Sequence, residues 1–146
     1  MTLSRLVSLF LLTVAGCGPS GPPLVGVTGT VTLDNRPLAG AQVTFLPPDS
    51  TPGAGASGRT GPDGKYTLQS RNGAGVAVGE YRVFISKRLM PNGAEVPPDD
   101  PTPPVRSPAR ELLPRYSNLG KPVLSASVPS AGGTFDFALQ SKDKPR

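Results

Sequence analysis

From Leu24 onward, apolar residues recur at every second position, and no other feature of the chain constrains its fold as strongly. A period of two puts successive side chains on opposite faces of an extended strand, whereas a helix face repeats every 3.6 residues. Residues 25–33 read VGVTGTVTL, which places Val27, Gly29, Val31 and Leu33 on one face and Thr28, Thr30 and Thr32 on the other. Composition reinforces the choice. The 146 residues include 19 Pro and 18 Gly. Each costs a helix interior roughly 3 and 1 kcal/mol relative to Ala, so long helices are excluded.

The same pattern predicts further strands. Residues 41–46 direct Val43 and Phe45 inward, and Pro47-Pro48 ends that strand because Pro donates no ladder hydrogen bond. Residues 49–56 form a Gly/Pro/Ser loop, and 57–60 a short strand. The turn formers Gly61-Pro62-Asp63-Gly64 lead into 65–69, which pairs back with Tyr66 and Leu68 inward. A second loop begins at Arg71-Asn72-Gly73. Residues 79–87 form the clearest strand, with Tyr81, Val83 and Ile85 inward and Phe84 opposite, under the Pro-rich stretch or against a partner. From Pro91 to Pro108 seven prolines and little apolar content predict a long loop or disordered insert. Order resumes at 112–116. Strands follow at 123–128, with Leu124, Ala126 and Val128 inward, and at 134–140, with Phe135, Phe137 and Leu139 inward. The polar tail from Ser141 to Arg146 is expected to fray.

Seven short strands with turns at close intervals predict an all-β domain over residues 24–141, a seven-stranded β-sandwich of immunoglobulin-like architecture, which the family resemblance described below implies is prealbumin-like. Ahead of it the chain reads as an address label. Arg5 precedes a run of about ten mostly apolar residues, too short for the roughly 20 that cross a membrane as a helix, but of the order and length of a signal peptide. Residues 1–16 are therefore a signal peptide, and 17–23, rich in Gly and Pro, a flexible tether.

Residue counts exclude several chemistries. With His 0 there is no Ser-His-Asp triad, no Cys-His pair and no imidazole metal site. A single Cys makes neither an internal disulfide nor a thiolate zinc cluster. Asp99 and Asp100 lie side by side in the Pro-rich stretch, where solvation keeps both ionised and adjacency does not set them across a bond. Residues 53–58 match G-x-G-x-x-G but lack the preceding strand and following helix of a dinucleotide site. Asp34, Asp63 and Asp136 do not have calcium-loop spacing. No catalytic residue, cofactor or metal is expected, and the chain reads as a non-enzyme. Its +5 net charge gathers near Arg82, Lys87 and Arg88 and at Lys142, Lys144 and Arg146. A solvated surface is the first reading of these charges; as a binding patch on an exported protein they favour anionic lipid or acidic envelope polymers over nucleic acid.

Val14-Ala15-Gly16-Cys17 resembles the bacterial lipobox at every position. The alternative for Cys17 is a small buried thiol in an ordinary secreted domain. The resemblance implies cleavage between Gly16 and Cys17, a diacylglycerol thioether on Cys17, and a further acyl chain such as palmitate. The lipidated Cys17 then anchors the protein to a bacterial membrane. Gly18 stands where an inner-membrane retention signal favours Asp, which points to the outer membrane or its periplasmic face.

Three stretches carry a second resemblance: GTVTLDNRPLAGAQVTF at 29–45, GRTGPDGKYTL at 58–68 and GEYRV at 79–83. Together they resemble the carboxypeptidase-regulatory-like domain, a transthyretin-like sandwich related to the Cna-B type. With the lipobox, and with residues 113–116 and 134–137, the chain resembles a family of short lipoproteins common in planctomycete bacteria. Such modules are adjuncts in enzymes, receptors and adhesins. The catalytic relative, hydroxyisourate hydrolase, uses histidines and a C-terminal Tyr-Arg-Gly-Ser that this chain lacks. The resemblance thus implies a non-catalytic, membrane-anchored envelope lipoprotein with structural or protein-binding roles. A carbohydrate-binding module using loops 49–56 and 70–79 is the alternative, against which the absence of Trp weighs.

Overall fold

The computed structural model describes residues 21–49, 53–97 and 106–141. The fold is all-β with several sheets, an arrangement consistent with a β-sandwich. The chain enters through β1 (Leu24–Val25) and β2 (Val27–Leu33), turns at Asp34 and Asn35, and returns as β3 (Arg36–Pro37). Both turn residues have positive φ (50° and 64°), a conformation that Asp and Asn tolerate better than most residues. Next come β4 (Gln42–Leu46), β5 (Ala56–Arg59), β6 (Lys65–Thr67) and β7 (Gln69–Ser70). The short β8 (Gly73–Ala74) and β9 (Val76–Ala77) precede the long β10 (Gly79–Ser86). After β11 (Arg88–Leu89) and β12 (Arg110–Glu111), a single turn α1 (Pro114–Ser117) leads into β13 (Leu124–Val128), β14 (Gly133–Thr134) and β15 (Phe137–Leu139).

Two sheets enclose the core. One has the order β13-β10-β4-β5-β7-β8. The other is centred on β2, which pairs antiparallel with β3 and β6 and parallel with β14 and β15. The alternation holds in side-chain burial: Val27, Val31, Val43, Phe45, Leu68, Val83 and Ile85 are fully buried. Phe45 joins the layers. Its ring lies 5.9 Å from that of Tyr81 in its own sheet, and 6.0 and 6.3 Å from Phe135 and Phe137 in the other. Such tilted and edge-on pairs add stabilisation beyond the area they bury.

Several predicted strands are broken into pieces, each for a local reason. The stretch 65–69 does not simply fold back on 57–60. Its first half, β6, pairs with β2, while β7 pairs with β5, and the chain changes sheet at Leu68, whose N–H donates to the Val27 carbonyl at 2.9 Å. Between β14 and β15 the Asp136 carboxylate accepts the Thr30 N–H at 2.7 Å, so a side chain takes the place of a ladder bond. The expected loop 70–79 is largely strand: β9 pairs with β1, burying Val76 and Ala77.

The first part of the Pro-rich stretch is ordered as well. Residues 89–95 form a hairpin closed by Met90 N–H to the Ala94 carbonyl at 2.8 Å, and β11 pairs with β12. Phe84 is buried by the chain itself, outside the cluster between the sheets, which makes a partner unnecessary to cover it. At the C-terminus Ser141 is not frayed, since its N–H donates to Asp34 Oδ1 at 3.1 Å and its hydroxyl to Asp34 Oδ2.

Strand direction defines two ends. Gly21, the 47–49 and 53–55 segments, the β7–β9 turns and residues 129–132 gather at the end where the chain enters. The 34–35 turn, residues 87–97, α1 and Ser141 gather at the opposite end.

Candidate functional site

The end remote from chain entry concentrates the polar side chains with the most elaborate surroundings. Lys87 follows directly on β10, where the strand leaves the sheet and its side chain reaches back over the rim. Its Nζ donates to the Ala39 carbonyl at 2.6 Å and to Glu95 Oε1 at 3.1 Å. Arg59, at the end of β5, donates to the other Glu95 oxygen at 3.4 Å. Lys87 is largely buried and Glu95 about half exposed. The hydrogen bond and charge of Lys87, helped by Arg59, hold the Glu95 carboxyl below the usual carboxylate range. Gly40 makes room for this contact: its φ is +69°, and a β-carbon there would strike the Glu95 carboxylate.

A second carboxylate organises the adjoining rim. Glu111 turns inward and accepts the Ser86 hydroxyl, the Lys87 N–H at 3.0 Å and the Leu113 N–H at 2.8 Å. Leu112 N–H donates to the Lys87 carbonyl at 2.8 Å. With Glu111 and Leu113 both committed inward, Leu112 is held facing out and remains 44% exposed. Below it Tyr116 is buried, and its hydroxyl accepts the Gln140 N–H at 3.1 Å, closing the core at this end.

The tyrosines serve the core. Tyr66 donates to the Phe135 carbonyl at 2.7 Å and Tyr81 to the Ala77 carbonyl at 2.9 Å. Burial, and for Tyr66 also the Asp136 charge, raises their phenol pKa, so both stay neutral donors at neutral pH.

Cys17 and Gly16, the expected lipidation and cleavage positions, lie outside the described residues, as do Asp99, Asp100, Lys142, Lys144 and Arg146. Arg82, Lys87 and Arg88 do not form one basic patch. Arg82 faces solvent in mid-strand, Lys87 is engaged with Glu95, and Arg88 donates to the Ala109 carbonyl at 3.2 Å. The three separated aspartates each serve backbone geometry: Asp34 holds Ser141, Asp63 Oδ1 accepts Lys65 N–H at 3.1 Å, and Asp136 holds Thr30. The glycine-rich 53–58 segment runs into β5, without the helix that phosphate binding needs. No group of three or more potential metal ligands exists among the described residues.

The roles of Glu95, Glu111 and Leu112 are absent from the sequence reading. Only the Leu112-Leu113 pair hinted at them, because an extended chain sends adjacent side chains in opposite directions and one of the two must face out. Comparisons with protein-family models, curated proteins and solved structures find no match for this chain.

Proposed function

We propose that this protein is a membrane-anchored, non-catalytic lipoprotein of the bacterial envelope that displays a small β-sandwich. The observation that carries the reading is the Val14-Ala15-Gly16-Cys17 sequence after its apolar run, and the position of chain entry sets how the anchored domain is displayed. Gly21 and β1 lie at one end of the domain, and the charged rim of residues 87–97 and 106–113 at the other. Cys17 precedes Gly21 by four residues, and an extended chain advances at most about 3.6 Å per residue, so an acyl anchor at Cys17 holds the entry end within roughly 14 Å of the lipid surface. The rim then faces away, into the aqueous envelope.

The seven-stranded, carboxypeptidase-regulatory-like reading belongs to this proposal. Joining consecutive pieces gives seven main runs: β2, β4, β5, β6 with β7, β10, β13, and β14 with β15. They carry most of the core apolar residues, while Leu38, Ala41, Val76, Leu113 and Tyr116 join the core from outside them. The resemblance supplies no activity, and Asp34, Asp63 and Asp136 support turns and strand junctions.

Two or three acyl chains, at about 0.8 kcal/mol per buried CH₂, hold a domain durably on a bilayer. Cys17→Ser therefore removes labelling by radioactive palmitate and moves the protein from the detergent phase to the aqueous phase. Unchanged partitioning of that variant refutes the anchor.

The carbohydrate-binding alternative finds less support. Val76 and Ala77 of its second loop are buried in β9, which pairs with β1. Tyr66, Tyr81 and Tyr116 are all buried, so among the described residues no Tyr offers a ring on which a sugar stacks.

A further inference from the structure

Among the described residues, the acidic groups at the end remote from chain entry are spent on the fold. Glu95 is paired with Lys87 and Arg59, Glu111 with Ser86 and two backbone N–H groups, Asp34 with Ser141, and Asp63 with Lys65. The cations at the same end exceed them. Arg36, Arg110 and Lys121 are exposed and have no ion pair among the described residues. The entry end differs. Its described charges are Asp49, Arg71 and Glu80, with no cationic excess.

Apolar surface accompanies this charge. Leu112 and Leu119 are 44% and 64% exposed. Leu112 stands as a ridge between two depressions. One, of about 440 Å³, includes Met90, Pro91 and Arg110, and the other, of about 210 Å³, includes Arg115 and Tyr116. The backbone around Leu112 is pinned on both sides by Glu111 and Lys87, so the residue is presented in a fixed position. A rigid apolar anchor beside unpaired cations fits a partner that brings apolar side chains and negative charge together.

We propose that this rim, centred on Leu112 with Arg110 beside it and with Lys121 at the same end of the domain, is a docking surface for an acidic, leucine-bearing segment of another protein. A polysaccharide acid fits it less well, because the described residues of the rim offer no exposed aromatic platform. The membrane is also a poorer fit, since the displayed orientation turns the rim away from it. The partner assignment rests on that display reading, whereas the surface itself is defined by charge and packing alone.

The test uses the full chain carrying Cys17→Ser, so that docking is read whether or not an anchor exists; failure of the anchor appears only in detergent partitioning. The probe is a fluorescein-labelled peptide of Asp-Asp-Leu repeats, titrated by anisotropy, with amide shifts recorded by NMR. The expected result is saturable binding with shifts confined to residues 89–93 and 110–121. Joint Arg110→Glu and Lys121→Glu substitution weakens it about tenfold or more, as for charge contacts that desolvate on docking. Leu112→Ser weakens binding without lowering the Tm. Absence of binding overturns the proposal, as does affinity unchanged by either variant. So does equal binding of a poly-aspartate lacking Leu, or stronger binding of polygalacturonate or anionic phospholipid vesicles at this rim.

Discussion

The two ends of the domain are closed by different means. At the entry end, backbone closes backbone: β9 pairs with β1, Gly75 N–H donates to the Leu68 carbonyl at 2.9 Å, and Gly133 N–H donates to the Gly26 carbonyl at 3.1 Å. At the far end, side-chain carboxylates tie loops together: Glu95 binds Lys87 and Arg59, and Glu111 gathers Ser86, Lys87 and Leu113. Backbone pairing responds little to pH and salt, whereas charge pairs respond to both. The far end is thus the adjustable one, and it carries the exposed leucines and surplus cations.

The contrast can be tested with one glycine from each end. Gly75 has φ +95°, and a β-carbon there would strike the Val25 carbonyl, which belongs to a paired strand. Gly40 has φ +69°, and its β-carbon would meet the end of the flexible Glu95 side chain. Both substitutions by Ala incur the left-handed backbone penalty of about 1–2 kcal/mol, and Gly75→Ala adds an overpacking cost of about 1–3 kcal/mol. Urea denaturation should therefore rank Gly75→Ala well below Gly40→Ala in stability. Equal losses would mean that the ends are equally rigid.

Glu111→Ala probes the far end alone. It leaves the Ser86 hydroxyl and the Lys87 and Leu113 N–H groups without their acceptor, a loss of about 1–3 kcal/mol when such donors are half-buried. Hydrogen exchange should quicken in residues 86–89 and 110–116 while β1 and β9 stay protected. Uniform acceleration would instead indicate that the carboxylate supports the whole core.

The smallest effect concerns pH. The folded Glu95 carboxyl is held below its ordinary value of 4.5 by Lys87, with help from Arg59. Its contribution to stability is therefore present above about pH 4.5 and is lost as pH falls through the lower folded pKa. Because Glu95 is about half exposed, the contribution stays within the 0–1 kcal/mol of a surface pair. A Glu95→Gln variant should flatten the acid side of the stability curve slightly, and molar salt should narrow the difference between the two proteins. An unchanged curve would place the ion pair outside the energetics of the fold.

The fold class was legible because alternation in β2, β4 and β10 is a local property of the chain. Val27, Val31, Val43 and Phe45 face inward for the reason their spacing implied. The breaks were not legible. The change of sheet at Leu68 and the Asp136 carboxylate in the ladder depend on strands far away in sequence. Likewise, Lys87 looked like part of a basic patch because nothing near it in sequence announces that Glu95, eight residues on, folds back onto it along with Arg59. Long-range polar pairing has no period, so the rim emerges only in three dimensions. The proposed Cys17 anchor is the reverse case: it is read from the sequence alone, from Arg5, the apolar run and residues 14–17, and lies outside the described residues.

The central claim is that the entry end lies against lipid and the charged rim faces away. It is tested most directly by placing a fluorophore at Val78→Cys or at Leu119→Cys in the lipidated protein, reconstituted in vesicles that carry a headgroup quencher. Val78 is 40% exposed at the entry end and Leu119 64% exposed at the rim, so both accept a label. The account predicts strong quenching at position 78 and little at position 119. Equal quenching at both positions, or stronger quenching at 119, would contradict it.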